Sequence, residues 1–326
     1  MMTPDFQSRL TPYMIGLIEQ KRALGYDYTA QTILLKKFDK LCQEQFPDDD
    51  TVTKSMLDIW SVLEPCENPG TLQIRVTVVS HLAGFIRASG RKAYILPASD
   101  LPKRSQYIPH IYTEDELQRL FRQIDCCHYS AEAPHRHLIM PVLFRMLYCC
   151  GLRPAEAVRL RVSDIDLYSG VLHIRESKND NDRYVPMSEE MIQICRNYAN
   201  EVHHTATAYQ YFFPSPDDNQ IPTMNLYSNF RRFLWKAGIP HGGKGKGPRV
   251  YDFRHTFAVH CLKRIVLSGK DLSVYHQVLK TYMGHSFFKY TAYYLRITKD
   301  MFPDIRGKIE RHYETMIDGL GDETNG

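Results

Sequence analysis

Apolar positions recur at helical spacing from the start of the chain, as amphipathic helices require. Leu10, Met14, Leu17 and Ile18 fall on one face of a helix predicted over 5–24, which Gly25 stops. Ile33, Leu34, Phe38 and Leu41 mark a second over about 28–46, ended by the acidic turn Pro47-Asp48-Asp49-Asp50. A short helix is expected from about Thr53, with Met56, Leu57 and Trp60. A longer one over about 71–89 carries Ile74, Val78, Leu82 and Phe85. Together these predict an all-α domain over 1–96.

Pro97, Pro102 and Pro109 then break the pattern, with Lys103, Arg104 and Ser105 among them, and predict an extended linker over 97–111. The second domain is expected over 112–326. Thr113 and Glu116 form a capping-box pair at its first helix. A strongly apolar helix over about 136–150 ends at Gly151, and Pro154 suits the first turn of the next, 154–161. Arg153 is left on the tight connection between them. The period then changes to alternation: Val171–Arg175 and Arg183–Pro186 read as strands joined by the turn Lys178–Asp182. Helices are expected from Ser188 and over about 224–237, 251–267, 272–282 and 288–295. A last amphipathic segment spans about Thr298–Met316, and residues from Asp318 onward are expected to fray. The fold class is mainly α with a small β-hairpin or sheet: an all-α N-terminal domain and a mixed α+β second domain.

Composition adds limits. A chain of 326 residues with 43% hydrophobic content suits two domains with real cores. A formal net charge of +4 does not by itself argue for nucleic acid. The eight cysteines include two adjacent pairs and no Cys-x-x-Cys, which suggests reduced, buried thiols rather than a disulfide framework. The N-terminus lacks the apolar core of a signal peptide. The longest apolar run, Leu138–Leu152, is interrupted by Pro141 and Arg145 and is too short and polar to span a membrane. A cytoplasmic protein with no membrane association is expected.

The candidate chemistry lies in Tyr251-Asp-Phe-Arg-His-Thr-Phe-Ala258, Met283-Gly-His-Ser286 and Tyr294, together with Arg153 and Lys178 upstream. Arginines, a lysine, histidines and a tyrosine suit phosphoryl transfer to a tyrosine, and nothing in the set calls for a metal or another cofactor. A guanidinium fork matches two phosphate oxygens and does not deprotonate, so Arg153 and Arg254 are candidates to stabilise a pentacoordinate transition state. The competing structural role is a pairing of each with a buried carboxylate, Glu156 or Asp252. Tyr294 is the candidate nucleophile. Its ordinary pKa of about 10 means that it needs positive charge or a base before it attacks.

Five boxes in order carry a resemblance: Gly151-Leu-Arg-Pro-Ala-Glu156, Ser177-Lys178 on a hairpin turn, Asp252-Phe-Arg-His-Thr-Phe257, Met283-Gly-His-Ser286 and Tyr294. The chain resembles the tyrosine recombinase (phage integrase) family over about 112–305, and the helical first domain is what that family carries as a core-binding domain. The resemblance implies DNA cleavage and rejoining through a 3′-phosphotyrosyl link, without metal or ATP. It implies that Lys178 protonates the leaving 5′-oxygen and that His285 hydrogen-bonds the phosphate. It also selects Tyr294, nine residues after His285, over Tyr290 and Tyr293, which are expected to pack. Its usual setting is a homotetramer on two double-stranded DNA duplexes, with accessory proteins in some systems. There, a C-terminal element packs into a neighbouring protomer; here Ile297–Met316 either does this or folds back on its own domain.

One position departs from the pattern. The family usually has histidine where this chain has Tyr251, and a tyrosine is a poor base at neutral pH. A competent but slower enzyme is expected. His255 is read as packing, as at the same place in the family. Candidates for DNA phosphate contacts are Lys103, Arg104, Arg231, Arg232, Lys244, Lys246 and Arg249. The Lys-Gly-Lys-Gly loop among them has no strand and no Gly-Lys-Ser/Thr of a nucleotide-binding loop. Two other readings are an inactive DNA-binding accessory protein and a type IB topoisomerase-like enzyme.

Overall fold

The computed structural model describes residues 5–65, 67–101, 107–175, 182–204, 207–243, 247–285 and 288–301. Contacts divide the chain into two compact units, Met1–Tyr107 and Ile108–Gly326.

The first unit is built from α1 (Thr11–Ala23), α2 (Thr29–Gln45), α3 (Lys54–Trp60) and α4 (Pro69–Ala88). Leu10, Met14 and Leu17 pack with Leu35 and Phe38, Met56 and Trp60, and Val76, Val79 and Leu82. Two expectations shift. The first helix starts at Thr11 rather than at residue 5, because the preceding turn is held differently. The Asp39 carboxylate accepts from the backbone N–H groups of Gln7 (2.8 Å) and Ser8 (3.0 Å). That same buried carboxylate sets the face of α2. Thr32, Leu35, Phe38, Asp39 and Cys42 point inward, and Ile33 is left 56% exposed. A parallel shift occurs on α4, where Arg75 is drawn inside. It pairs with Glu67 (2.9 Å), donates to the Val62 carbonyl (2.9 Å) and lies over the Trp60 ring, so its neighbour Ile74 faces out. Ala93 is buried in this core, and Tyr94, Ile95, Leu96 and Leu101 pack against it.

The second unit contains α5 (Glu114–Asp125), α6 (Arg136–Cys149), α7 (Pro154–Arg159), α8 (Glu189–Val202), α9 (Thr223–Lys236), α10 (Asp252–Leu267), α11 (Leu272–Met283) and α12 (Phe288–Met301). The Thr113–Glu116 capping box is formed at α5, and Ser188 caps α8. Three antiparallel strands, β1 (Ile165–Asp166), β2 (Val171–Ile174) and β3 (Arg183–Pro186), form one sheet in the order β1-β2-β3, with Leu172 opposite Val185. The two-residue β1 is too short to show an alternation, which is why the sequence pattern does not reveal it.

At the centre lies α10, packed against α6, α11 and α12. Phe253 stacks on Tyr112 and meets Phe144 and Phe230. The Thr256 hydroxyl accepts from the Tyr112 N–H (3.1 Å). The expected break after residue 295 is absent: α12 runs on to Met301. Tyr294, Leu295 and Thr298 are all buried on it, and the Thr298 hydroxyl bonds the Tyr294 carbonyl at 2.7 Å. Residues 302–326, with the rest of the predicted terminal segment, lie outside the described residues. The seven described cysteines are free, but Cys126 and Cys149 are exposed, contrary to the expectation of buried thiols. No helix among the described residues is long and apolar enough to cross a membrane.

Candidate active site

Two glycines shape the site. Gly151 closes the turn between α6 and α7 at φ +59°, and a Cβ there would stand 2.5 Å from the Phe257 ring. Only glycine lets the turn adopt this conformation and lie so close to α10. Its carbonyl then accepts from Arg254 Nη1 at 2.7 Å. Gly284 caps α11 at φ +61°, with its N–H on the Thr281 carbonyl (3.0 Å) and the His285 N–H on the Lys280 carbonyl (3.1 Å). This turn aims two more carbonyls inward: that of Met283 accepts from Arg254 Nη2, and that of Gly284 from Arg153 Nη2 (3.1 Å). Three main-chain oxygens thus fix the two guanidinium groups.

Arg153 is the N-cap of α7, positioned by Pro154 in the first turn. Its side chain pairs with Glu156 (2.5 Å), and the Glu156 carboxylate also accepts its backbone N–H (2.9 Å). The alternative of a carboxylate partner therefore holds for Arg153, though its second Nη is on Gly284. For Arg254 it does not hold: Asp252 instead accepts from the Arg249 N–H at 2.8 Å. Arg254 is fully buried, and its Nε finds no acceptor among the described residues. A buried N–H without a partner is costly, so its place here calls for an account.

Sequence reasoning missed Arg183. It stands on β3 and is buried, with Nη1 and Nη2 on the two Glu156 oxygens (2.9 and 2.8 Å) and Nε on the Tyr282 carbonyl (3.0 Å). The signal was available, because alternation puts Arg183 on the same inward face as Val185. A charge on an inward face demands a partner. Burial pushes the Glu156 carboxyl up, but the hydrogen bonds and charge of Arg183, with the charge of Arg153, overcome this and hold its pKa at about 2.

His285 Nε2 lies 3.3 Å from Arg254 Nη2, and its Nδ1 is 2.9 Å from the Thr291 hydroxyl. A guanidinium only donates, so Nε2 is the acceptor and the ring proton sits on Nδ1. Burial and the charges of Arg254, Arg153 and Arg183 lower the pKa of His285 to about 3, which keeps it neutral. The Tyr294 ring stacks on His285 with centroids 5.9 Å apart. Burial raises the Tyr294 phenol above its ordinary value, and the charges of Arg254 and Arg153 offset only part of that.

The Tyr294 hydroxyl does not point at an arginine. It lies 3.1 Å from His255 Nδ1. His255, expected only to pack, is therefore in contact with the candidate nucleophile. Tyr251, the N-cap of α10, stands one turn earlier on the same face, its ring 5.1 Å from His255, and it lies near Arg153. Tyr293 lies farther out, at the edge of His255 with centroids 6.5 Å apart.

Arg153, Tyr251, Arg254, His285 and Tyr294 are thus brought together. Lys178 lies outside the described residues, as do Lys103, Arg104, Lys244 and Lys246. Arg231, Arg232 and Arg249 are exposed. Tyr227, on the same helix as Arg231, lies near enough to Arg249 and Tyr251 to feel their charges, and His241 likewise feels Arg231.

Known proteins resemble this chain in sequence and in fold. Two relatives in Sinorhizobium fredii, both described as putative integrase/recombinase, align nearly end to end. The protein y4rB is 26% identical over 91% of this chain and 96% of its own, and y4rE is 31% identical over 87% and 90%. Among solved structures, the XerH site-specific recombinase in a post-cleavage complex with its difH substrate shares the fold. Its TM-score is 0.63 at 17% identity, covering 92% of this chain and 89% of that one. Residues 111–301 match the model of the phage integrase family, and the chain belongs to that family, the tyrosine recombinases.

Proposed function

We propose that this protein is a site-specific recombinase that cuts and rejoins double-stranded DNA through a 3′-phosphotyrosyl link to Tyr294. The observation that carries this reading is the convergence of two carbonyl-anchored arginines and a neutral histidine around one buried tyrosine. The Tyr294 oxygen attacks phosphorus, the Oη–P bond forms, and the bond to the 5′-oxygen breaks. Arg153 and Arg254 donate to the non-bridging oxygens, where charge grows in the transition state, and their preorganisation makes that stabilisation effective. Lys178 supplies the proton to the 5′-oxygen, and His285, once its ring faces the phosphate, adds a hydrogen bond. The covalent link conserves the bond energy, so reversal of the same steps reseals the strand.

Two duplexes exchanging strands need four such sites, so the working form is a homotetramer on DNA, with Arg231, Arg232 and Arg249 among its phosphate contacts. Integration, transposition and resolution of joined replicons all use this reaction, and accessory proteins would select among them. Acting on DNA, the enzyme would work in the cytoplasm.

The test is covalent capture. Sheared, nicked genomic DNA of the encoding organism is incubated with the protein, and adducts that survive denaturant are sequenced. Adducts at a recurring site that vanish in Tyr294→Phe support the reading. Adducts that persist in Tyr294→Phe overturn the nucleophile. A protein that binds DNA but forms no adduct is an accessory factor, and plasmid relaxation without recombinant products would mark a topoisomerase-like enzyme.

A further inference from the structure

The reaction needs the Tyr294 proton to leave, and neither arginine can take it. Among the described residues, His255 is the hydrogen-bond partner of the Tyr294 hydroxyl, with Nδ1 at 3.1 Å. The ring lies one helical turn after Tyr251, on the face of α10 that meets α12. Tyr251 on this face is itself a phenol and a poor base at neutral pH.

We propose that His255 is the base that receives the Tyr294 proton during cleavage and returns it during rejoining. The proposal rests on the recombinase reading above. In the forward step the Tyr294 O–H bond breaks and its proton passes to the lone pair on His255 Nδ1. The Oη–P bond forms and the P–O5′ bond breaks, and the 5′-oxygen takes its proton from Lys178. In the reverse step the 5′-hydroxyl returns its proton to the Lys178 amine as its oxygen attacks phosphorus, the Oη–P bond breaks, and the His255 imidazolium protonates the departing tyrosine oxygen.

The surroundings suit this role. In the tautomer with hydrogen on Nε2, the Tyr294 hydroxyl donates to the Nδ1 lone pair, which is the arrangement this transfer uses. Burial, then the charge of Arg254, lowers the pKa of His255 to about 4, so the ring is neutral and able to accept. The groups facing it are Tyr251 and Arg254 on α10, Tyr293 and Tyr294 on α12, and His285 beyond α11. None of these is a carboxylate that could take the proton instead. A phosphodiester bound to Arg254 offsets the positive charge that depresses His255, so the base gains strength when substrate arrives.

The experiment uses a duplex of the captured site with either an ordinary scissile phosphate or a 5′-bridging phosphorothiolate, whose thiol leaves without an acid. Adduct formation is followed in a single turnover for the wild type, His255→Gln, His255→Ala and Lys178→Ala. Loss of a general base costs about 100-fold or more. We expect both His255 variants to fall by that factor on both duplexes, with DNA affinity within about twofold of wild type. Lys178→Ala should recover on the phosphorothiolate. Imidazole should restore His255→Ala, whereas pyrazole, of the same shape but hardly basic, should not. Rates within about threefold of wild type, equal rescue by both azoles, or recovery of the His255 variants on the phosphorothiolate would each overturn the assignment. If the wild type itself forms no Tyr294-dependent adduct, the recombinase reading falls and takes this proposal with it.

Discussion

Glu156 touches no reacting atom, yet its replacement is predicted to weaken the whole second unit. The carboxylate is 6% exposed and meets Arg183, 7% exposed, through both oxygens, and Arg153 through its side chain and backbone N–H. Glu156→Gln keeps the shape but removes the charge and turns an NH2 group toward a guanidinium. Two routes give the size of the effect. The fold lowers the carboxyl pKa from 4.5 to about 2, which corresponds to about 3 kcal/mol. Breaking a buried pair by removing one partner costs about 3–5 kcal/mol. For a unit of this size, about 3 kcal/mol lowers the melting temperature by about 6–12 °C.

Its pH dependence has a definite sign. A carboxyl made more acidic by folding contributes its full stabilisation above its unfolded value near 4.5 and loses it as pH falls toward about 2. Calorimetry of wild type and Glu156→Gln should therefore give a constant gap from about pH 8 to 5, reduced by about 1.4 kcal/mol, near half, at pH 3.5. A gap under about 2 °C at neutral pH, or one that ignores acid, would refute the buried-hub account of Glu156.

The other predictions concern the turn, the exposed arginines of α9 and the altered proton position. Gly151→Ala meets both a φ of +59° and the Phe257 ring, whereas Gly269→Ala meets only a φ of +68° in open space. Gly151→Ala should cost about 2–4 kcal/mol and Gly269→Ala about 1 kcal/mol; equal unfolding midpoints in urea would remove the steric argument. Arg231→Gln and Arg232→Gln should each flatten the slope of log affinity against log salt by about one unit while leaving site preference unchanged, read by fluorescence anisotropy. Tyr251→His should raise the cleavage rate between about pH 6 and 8 by placing a second imidazole near the site, and an unchanged rate across that range would show that Tyr251 does not limit proton transfer.

What the sequence revealed follows the range of each signal. The capping box at Thr113, Pro154 at the start of α7 and the α10–α11 pattern were readable because caps and helical periods are local. The motif spacing likewise pointed to Arg153, Arg254, His285 and Tyr294, which the structure brings together. Ile33 and Ile74 were misplaced because a buried Asp39 and a buried Arg75 turned their helices, and both are anchored by partners outside those helices. Glu156 and Arg183 are 27 residues apart and on different elements, so no local pattern joins them. The contact of His255 with Tyr294, 39 residues later, was not legible for the same reason, although the position of His255 beside Arg254 was visible.

The site joins two kinds of constraint with different tolerance for change. Stabilising a pentacoordinate phosphate needs donors fixed in direction, because a guanidinium displaced by an ångström loses much of its effect. Both arginines are accordingly held by carbonyls that exist only because Gly151 and Gly284 adopt left-handed conformations. Taking a proton from a tyrosine needs less: one lone pair within hydrogen-bond reach, from whichever direction the packing allows. Positions 251 and 255 share a face of α10, one turn apart, and both border the space where Tyr294 sits. An imidazole can therefore be absent from the first position when one stands at the second, whereas Arg254 has no other location from which the Gly151 and Met283 carbonyls would aim it, nor Arg153 one from which the Gly284 carbonyl would. On the proposed role of His255, this asymmetry accounts for a chain that keeps both arginines in their boxes and carries tyrosine at 251.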